Sequence, residues 1–517
     1  MGKPIRKIVI VGGGTAGWIT AGTIAKQFEN STQDPISVTL VESPNVPTIG
    51  VGEGTWPTMR TTLKNMGIFE TDFIRECDAT FKQGAKFARW VTGADDDFYY
   101  HPLELPQGFV SGNLVPHWQQ NNEGVSFADA VCSQSHICEQ GLAPKQITTP
   151  EYASVANYAY HLDAGKFSKF VQKHCVEKLG VKHILADTST VNTTENGDIS
   201  SLETQQGIQI EGDLFVDCTG FKSLLLGEHY KVPFKDCKDI LFVDTALAVH
   251  APYETDDTPI ASHTISTAQT AGWIWDIGLV SRRGVGHVYS SAHISQAEAE
   301  LQLRDYLRPR VKDIDNYDLR KISINSGHRQ KFWQNNVVAV GLSAGFLEPL
   351  EASSLVLVEL SARLIAQQLP PDRDSMDIVA KRFNERCQYR WDRIIDFLKL
   401  HYCLSQRRDS DFWIENCDPK SIPDSLQELI EMWRFHYPWQ DDFTQKDEVF
   451  PSASYQYVLY GMGFKTKPSF HGMTSHNVQF AEEQFARNKK NAQLFCSKLP
   501  NNRELINKIK LHGLQRI

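Results

Sequence analysis

Four consecutive apolar residues, Ile8-Val9-Ile10-Val11, precede Gly12 near the start of the chain, the pattern of a strand buried on both faces. After the glycines that follow, apolar positions recur at helical spacing, and a second apolar run, Ile36-Ser37-Val38-Thr39-Leu40-Val41, predicts another strand ending at Glu42. Residues 1 to about 60 therefore read as a β-α-β unit. A helical pattern around residues 57 to 76 precedes an alternation from Thr80 to Trp90 that predicts one strand. That strand would carry Lys82, Gly84 and Lys86 on one face, and Phe81, Ala85 and Phe87 on the other. Residues 91 to 150 read as loop-rich, and helical periodicity resumes at Ala164.

Between about 180 and 330 short β segments dominate, among them Leu214 to Gly220 and Gly272 to Ile277, with Gly284-Val285-Gly286 read as a hairpin turn. A strand at Asn336 to Gly341 and a helix from about Ser353 to Gln368 follow, and residues 371–517 read as mainly helical and aromatic-rich. A nucleotide-binding unit to which late strands return predicts an α/β fold with a Rossmann-type core. That core is discontinuous over 1–370 with a β-rich insertion at about 180–330, and 371–517 forms a helical cover over the substrate.

The turn after the first strand reads Gly12-Gly13-Gly14-Thr15-Ala16-Gly17, a Gly-x-Gly-x-x-Gly between strand and helix. Such a turn needs its first glycine for tightness, its second for backbone approach to a pyrophosphate and its third for helix packing. The helix N-terminus offers free N–H groups to the phosphates, and an acid at the end of the second strand, here Glu42, suits a ribose. Two later turns, ending at Gly220 and running from Val340 through Gly341 to Gly345, stand where a second and third segment would close on the same ligand. Three such segments favour FAD over a nicotinamide, and no second strand–Gly-x-Gly-x-x-Gly–helix unit is present to bind one. The fold is thus expected to be an FAD-binding Rossmann type, hydroxylase-like or glutathione-reductase-like.

Hydrophobic residues at 41% and charged residues at 22% of 517 are ordinary for a chain with a substantial core. A net charge of −9 argues against a nucleic-acid partner. With no leader pattern and no apolar run approaching the length of a membrane span, a cytoplasmic protein without membrane attachment is expected. The ten cysteines are dispersed without metal-ligand spacing, and read as free thiols with no metal site.

Gly272-Trp273-Ile274-Trp275-Asp276-Ile277 resembles the Gly-Trp-x-Trp-x-Ile-Pro signature of flavin-dependent halogenases, the tryptophan halogenase family. Val11 to Trp18, Pro47 to Glu53, Phe81 to Phe87 and Glu348-Pro349-Leu350-Glu351 resemble further family blocks in the family's order. The resemblance implies an enzyme that uses FADH2 from a separate flavin reductase, O2 and chloride or bromide to form hypohalous acid. The oxidant passes through a tunnel to a lysine beside an electron-rich arene such as an indole or tryptophan derivative.

Lys82 matches that lysine and Glu351 a pocket glutamate, so these are the expected catalytic residues. On the residues alone Lys82 reads as a solvated lysine on a half-exposed strand, and Glu351 as an acid complementing a helix dipole. Gly12, Gly14, Thr15, Ala16, Gly17, Glu42, Val51, Gly220, Gly341 and Leu347 are expected to hold the cofactor, and Ser353 and Ser354 the halide. Trp273 and Trp275 would shield the flavin, or else form a tryptophan-rich core strand. His101 and Tyr455 are the substrate-wall candidates, with a loop histidine and a core tyrosine as the plainer readings.

Two departures stand out: Ala352-Ser353-Ser354 replaces the family's Ser-Thr-Gly, and Gly278 replaces its proline. An FAD monooxygenase that hydroxylates its substrate is the nearest alternative, and a non-catalytic binding module on the same fold the more distant one. The partners expected are the reductase and a small aromatic molecule, with the chain acting as a monomer or homodimer.

Overall fold

The computed structural model describes residues 2–31, 35–46, 52–121, 124–445, 448–467 and 475–516. The strand Lys7–Val11, buried from Ile8 onward, pairs in parallel with Ser37–Glu42 on one side and Leu214–Asp217 on the other. Beyond these lie Lys182–Leu185 at one edge, and Val337–Ala339 with the antiparallel Trp333–Gln334 at the other, completing six strands. The helices Thr15–Phe28 and Ser353–Gln367 pack against each other beside this sheet. The core is therefore assembled from distant parts of the chain, as the α/β pattern of late returning strands predicts.

A seven-stranded sheet runs in the order Arg320–Ser323, Thr245–Pro252, Arg282–Tyr289, Gly272–Gly278, Thr264–Gln269, Gly84–Ala88, Phe98–Pro102, five of its strands from the β-rich stretch at about 180–330 and two from earlier in the chain. A small third sheet joins Gly52–Gly54, Ala159–Asp163 and Thr80–Lys82. The C-terminal part is helical, dominated by the 31-residue helix Arg373–Cys403. It closes back on the rest: Ser452–Gly461 packs on Phe98–Pro102, and Asn502 Nδ2 donates 3.1 Å to the Phe81 carbonyl.

The alternation from Thr80 to Trp90 is not one strand but two, Thr80–Lys82 and Gly84–Ala88, in different sheets. Gln83 is the hinge: its N–H donates 2.6 Å to the Ser262 carbonyl and its Nε2 2.7 Å to that of Leu142, so the chain leaves one ladder and enters another. Side-chain parity is lost there, which separates the two lysines. Lys82 is only 3% exposed, whereas Lys86 pairs with Glu139 at the surface and lies 4.0 Å over the Phe98 ring.

Gly284-Val285-Gly286 is likewise no hairpin turn but the middle of the strand Arg282–Tyr289. A Cβ on Gly286 would run into the Trp275 ring, and one on Gly284 would come within 3.2 Å of the Gly52 backbone. Both glycines mark close approach rather than a reversal. Residues 57 to 76 form two helices, Thr58–Met66 and Glu70–Glu76, parted at Gly67 with φ 81°. The described residues of 91 to 150 hold three short helices besides their strand, Val115–Asn121, Phe127–Val131 and Gln134–Glu139.

Candidate functional site

A cavity of about 520 Å³ runs from the glycine turn into the space between the sheets, within the range of small-molecule sites. Gly12 has φ +114°, and a Cβ there would strike the Cys218 carbonyl. Gly17 sits behind the cavity wall, where a Cβ would strike the Gly12 carbonyl, so it lets helix and turn pack together. Gly14 differs: nothing lies within 4 Å of its Cβ position, and it faces the cavity beside Thr15 and Ala16. The helix Thr15–Phe28 has no side-chain cap, so its first N–H groups are open to an anion.

Glu42 reaches the same wall, accepting 3.0 Å from His183 Nε2. Only a glycine at position 13 leaves room for its carboxylate against the turn. Gly220 (φ 71°), Gly341 (φ 74°) and Leu347 line the cavity too. Asp217 fixes the second turn, its Oδ2 accepting 2.8 Å bonds from the N–H groups of both Leu225 and Leu226. Val51 lies outside the described residues. This elongated cradle, with free amides at one place and an acid nearby, fits a dinucleotide such as FAD.

Trp273 and Trp275 project from Gly272–Gly278 into the cavity wall with ring centroids 6.4 Å apart, Trp275 occupying the gap left by Gly286. Trp273 Nε1 donates 3.1 Å to Glu348 Oε2, which also accepts 2.6 Å from the Tyr402 hydroxyl. Burial pushes the Glu348 carboxyl up to about 7 against the pull of those two donors. Glu348 is fully buried and anchors the indole from behind.

Lys82 and Glu351 both line the cavity. Lys82 Nζ donates 3.3 Å to the Thr55 carbonyl, and burial lowers its ammonium to about 8, opposed by the charge of Glu351. A Cβ on Gly54 would lie 3.3 Å from Nζ and 3.4 Å from Ala352 Cβ, so Lys82 and the start of the helix Ser353–Gln367 flank one glycine. That helix also lacks a side-chain cap, and Ser353 and Ser354 line the cavity at its open amides.

Glu351 (φ 64°) and Ala352 (φ 55°) are consecutive left-handed residues other than glycine, each a strain of about 1–3 kcal/mol that surrounding contacts must hold. Trp56 Nε1 donates 2.9 Å to the Glu351 carbonyl, and His101 Nδ1 stands 2.7 Å from Oε1. Burial alone would raise this carboxyl; the charge and hydrogen bond of His101, followed by the close approach of His401, outweigh it and hold the group well below the usual range.

His101 therefore touches the carboxylate rather than forming an open wall of the cavity. Tyr455 is fully buried against Phe397, Trp433 and Phe443 and does not line the cavity. Periodicity gave no sign of His401, Tyr99, Trp56 or Ser454. Each sits in a segment whose local pattern reads as ordinary core; only the fold brings Trp56 and His401 to Glu351, Tyr99 to His401 and Ser454 to His101.

Residues 7–476 match the family model described as tryptophan halogenase. The chain is 31% identical to the tryptophan 6-halogenase ThaL of Streptomyces albogriseolus, covering 99% of this chain and 100% of that protein. The crystal structure of a tryptophan halogenase from Shewanella frigidimarina superposes with a TM-score of 0.97 at 50% identity, covering 100% of this chain and 99% of that one. BrvH, a flavin-dependent halogenase from Brevundimonas, gives a TM-score of 0.85 at 32% identity, covering 98% and 99%.

Proposed function

Because this chain belongs to the tryptophan halogenase family, we propose that it halogenates an electron-rich arene, such as an indole or tryptophan derivative, with Lys82 and Glu351 as the catalytic pair. It is a flavin-dependent halogenase, and the cofactor, in this reading, is FAD delivered as FADH2 by a separate reductase. The observation that carries the proposal is that Lys82 and Glu351 line the same cavity as the glycine cradle, with Trp273 and Trp275 on its wall.

When bound in its reduced form, the flavin supplies the electrons that let oxygen oxidise chloride or bromide to hypohalous acid. The open amides of Ser353 and Ser354 hold the halide, main-chain donors that do not depend on the hydroxyl missing at Ala352. Trp273 and Trp275 fill the wall with two large rings, which keeps the organic substrate from the flavin and excludes water from the oxidant's path.

The Lys82 ammonium donates a hydrogen bond to the oxygen of HOX. As the ring carbon bonds to halogen and the O–X bond breaks, that ammonium gives its proton to the departing oxygen, which leaves as water. Glu351, held ionised, accepts the ring proton and returns it to the Lys82 amine. The electrons of the broken C–H bond restore the aromatic ring, and the sum is ArH + HOX giving ArX and water.

The test is a screen of indoles, phenols and pyrroles with paired halides and a generic flavin reductase, read by isotope pattern. Halide-dependent mass shifts are expected; an oxygenated product formed without halide would instead make the protein a hydroxylase. Lys82→Ala should abolish halogenation, by at least a hundredfold, while FAD binding and peroxide-forming oxidation of FADH2 persist.

A further inference from the structure

Beyond Glu351 the polar contacts continue, as an ion-pair contact with His401 and then a hydrogen bond between His401 and Tyr99. His401, on the last turn of the helix Arg373–Cys403, places Nε2 3.3 Å from Glu351 Oε1, and its Nδ1 stands 2.6 Å from the Tyr99 hydroxyl. On the other side His101 Nε2 stands 2.9 Å from Ser454 Oγ. The result is a buried chain, Tyr99–His401–Glu351–His101–Ser454, drawn from alternate residues of one strand, two helices and the turn before Ser353.

A carboxylate oxygen only accepts, so the near nitrogen of each imidazole carries its hydrogen. At the far nitrogen a neutral ring then accepts the hydroxyl proton, and a charged one donates to the hydroxyl oxygen. His101 meets Oε1 through a hydrogen bond and His401 through an ion-pair contact at 3.3 Å. The His401 ring is itself immobilised, 4.5 Å from Phe87 and nearly parallel to Tyr99. Both imidazoles converge on Oε1, and no hydrogen bond among the described residues is directed to Oε2.

Resting on the proposed function, we infer that His401, oriented by Tyr99, is a positioning residue of the reaction. With His101 it keeps the Glu351 carboxylate ionised and commits Oε1 to the protein, leaving Oε2 for the ring proton. Such supporting contacts around a reacting group hold its geometry as well as its charge. Glu348, one turn of chain away, is held by Tyr402, the residue after His401, so the end of one helix clamps both acids of this turn.

The titratable groups packed around Glu351 are Lys82 from Thr80–Lys82, Tyr99 and His101 from Phe98–Pro102, and His401 from the long helix. The helix Ser452–Gly461 adds Ser454 and Tyr457, the latter with its ring 6.2 Å from that of His101.

The experiment follows the Glu351 side-chain carbon by NMR in the full-length protein labelled at glutamate, with Glu351→Gln identifying the signal. His401→Leu should raise the titration midpoint by a pH unit or more, His401→Gln, which retains an N–H donor, should restore part of the shift, and Tyr99→Phe should give a smaller rise. The acid limb of the halogenation profile should move to higher pH in the same order. Where His401→Leu does not fold, Tyr99→Phe and His401→Gln decide. An unmoved midpoint in the folded variants overturns the inference, as does a loss of halogenation uniform across pH. If the wild type makes no halogenated product, the proposed function fails, and the carboxyl titration still decides whether the clamp exists.

Discussion

Single residues in this protein act through the space they leave as much as through the groups they carry. The three motif glycines look alike in sequence, yet their Cβ positions meet different things: Gly12 and Gly17 the backbone, Gly14 the open cavity. Gly12→Ala should therefore destabilise the apoprotein, forcing a non-glycine residue to φ +114° against the Cys218 carbonyl. Gly14→Ala should leave apoprotein melting within about a degree while weakening FAD binding roughly tenfold, since its methyl group enters the ligand's space. Thermal unfolding and flavin titration of the two variants check the contrast. Lys82 and Glu351 show the limit of reading residue by residue. Their identity is carried by short motifs, but the alternation around Lys82 predicted a half-exposed strand, because nothing local announces that Gln83 ends one ladder and starts another.

At the scale of elements, the helix Ser353–Gln367 carries a buried acid shifted in the opposite direction to Glu351 in the turn before it. Glu359, on Ser353–Gln367, accepts hydrogen bonds from Thr58 and Thr62, yet burial raises its carboxyl to about 8. An acid raised in the folded state binds more protons folded than unfolded between its ordinary value and the raised one, so its contribution to stability falls as pH rises through that window. Each unit of the shift corresponds to about 1.4 kcal/mol. Glu359→Gln should then flatten the decline in melting temperature between about pH 5 and pH 8, with a gain over the wild type at pH 8 larger than any at pH 5. A wild-type melting temperature that rises across the window would refute it. The elements themselves were largely legible: the first strand and helix, Ala164–Lys178 and Ser353–Gln367 lie where periodicity puts them. The departures fell at Gly67, where a local left-handed cap ends a helix, and at Gln83 and Gly284–Gly286, where tertiary contacts set the path of the chain.

Across the whole molecule, the cavity is built where several sheets and the late helices meet. Among the described residues no helix is long and apolar enough to cross a membrane. A ligand that fits only this assembled wall stabilises the folded state by mass action, about 2.7 kcal/mol at a hundred times its dissociation constant. FAD should accordingly raise the melting temperature of the wild type in a concentration-dependent way and fail to do so for Gly12→Ala. The α/β class, the cradle glycines and the Trp273/Trp275 strand were fixed by sequence alone, because burial period and turn chemistry are local properties that a short stretch of chain expresses by itself. The clamp on Glu351 was not. Its members are separated by hundreds of residues, His101 by 250 from Glu351 and Tyr99 by 302 from His401. Each obeys its own strand or helix, and their meeting depends on how sheets and helices pack, which no local pattern encodes.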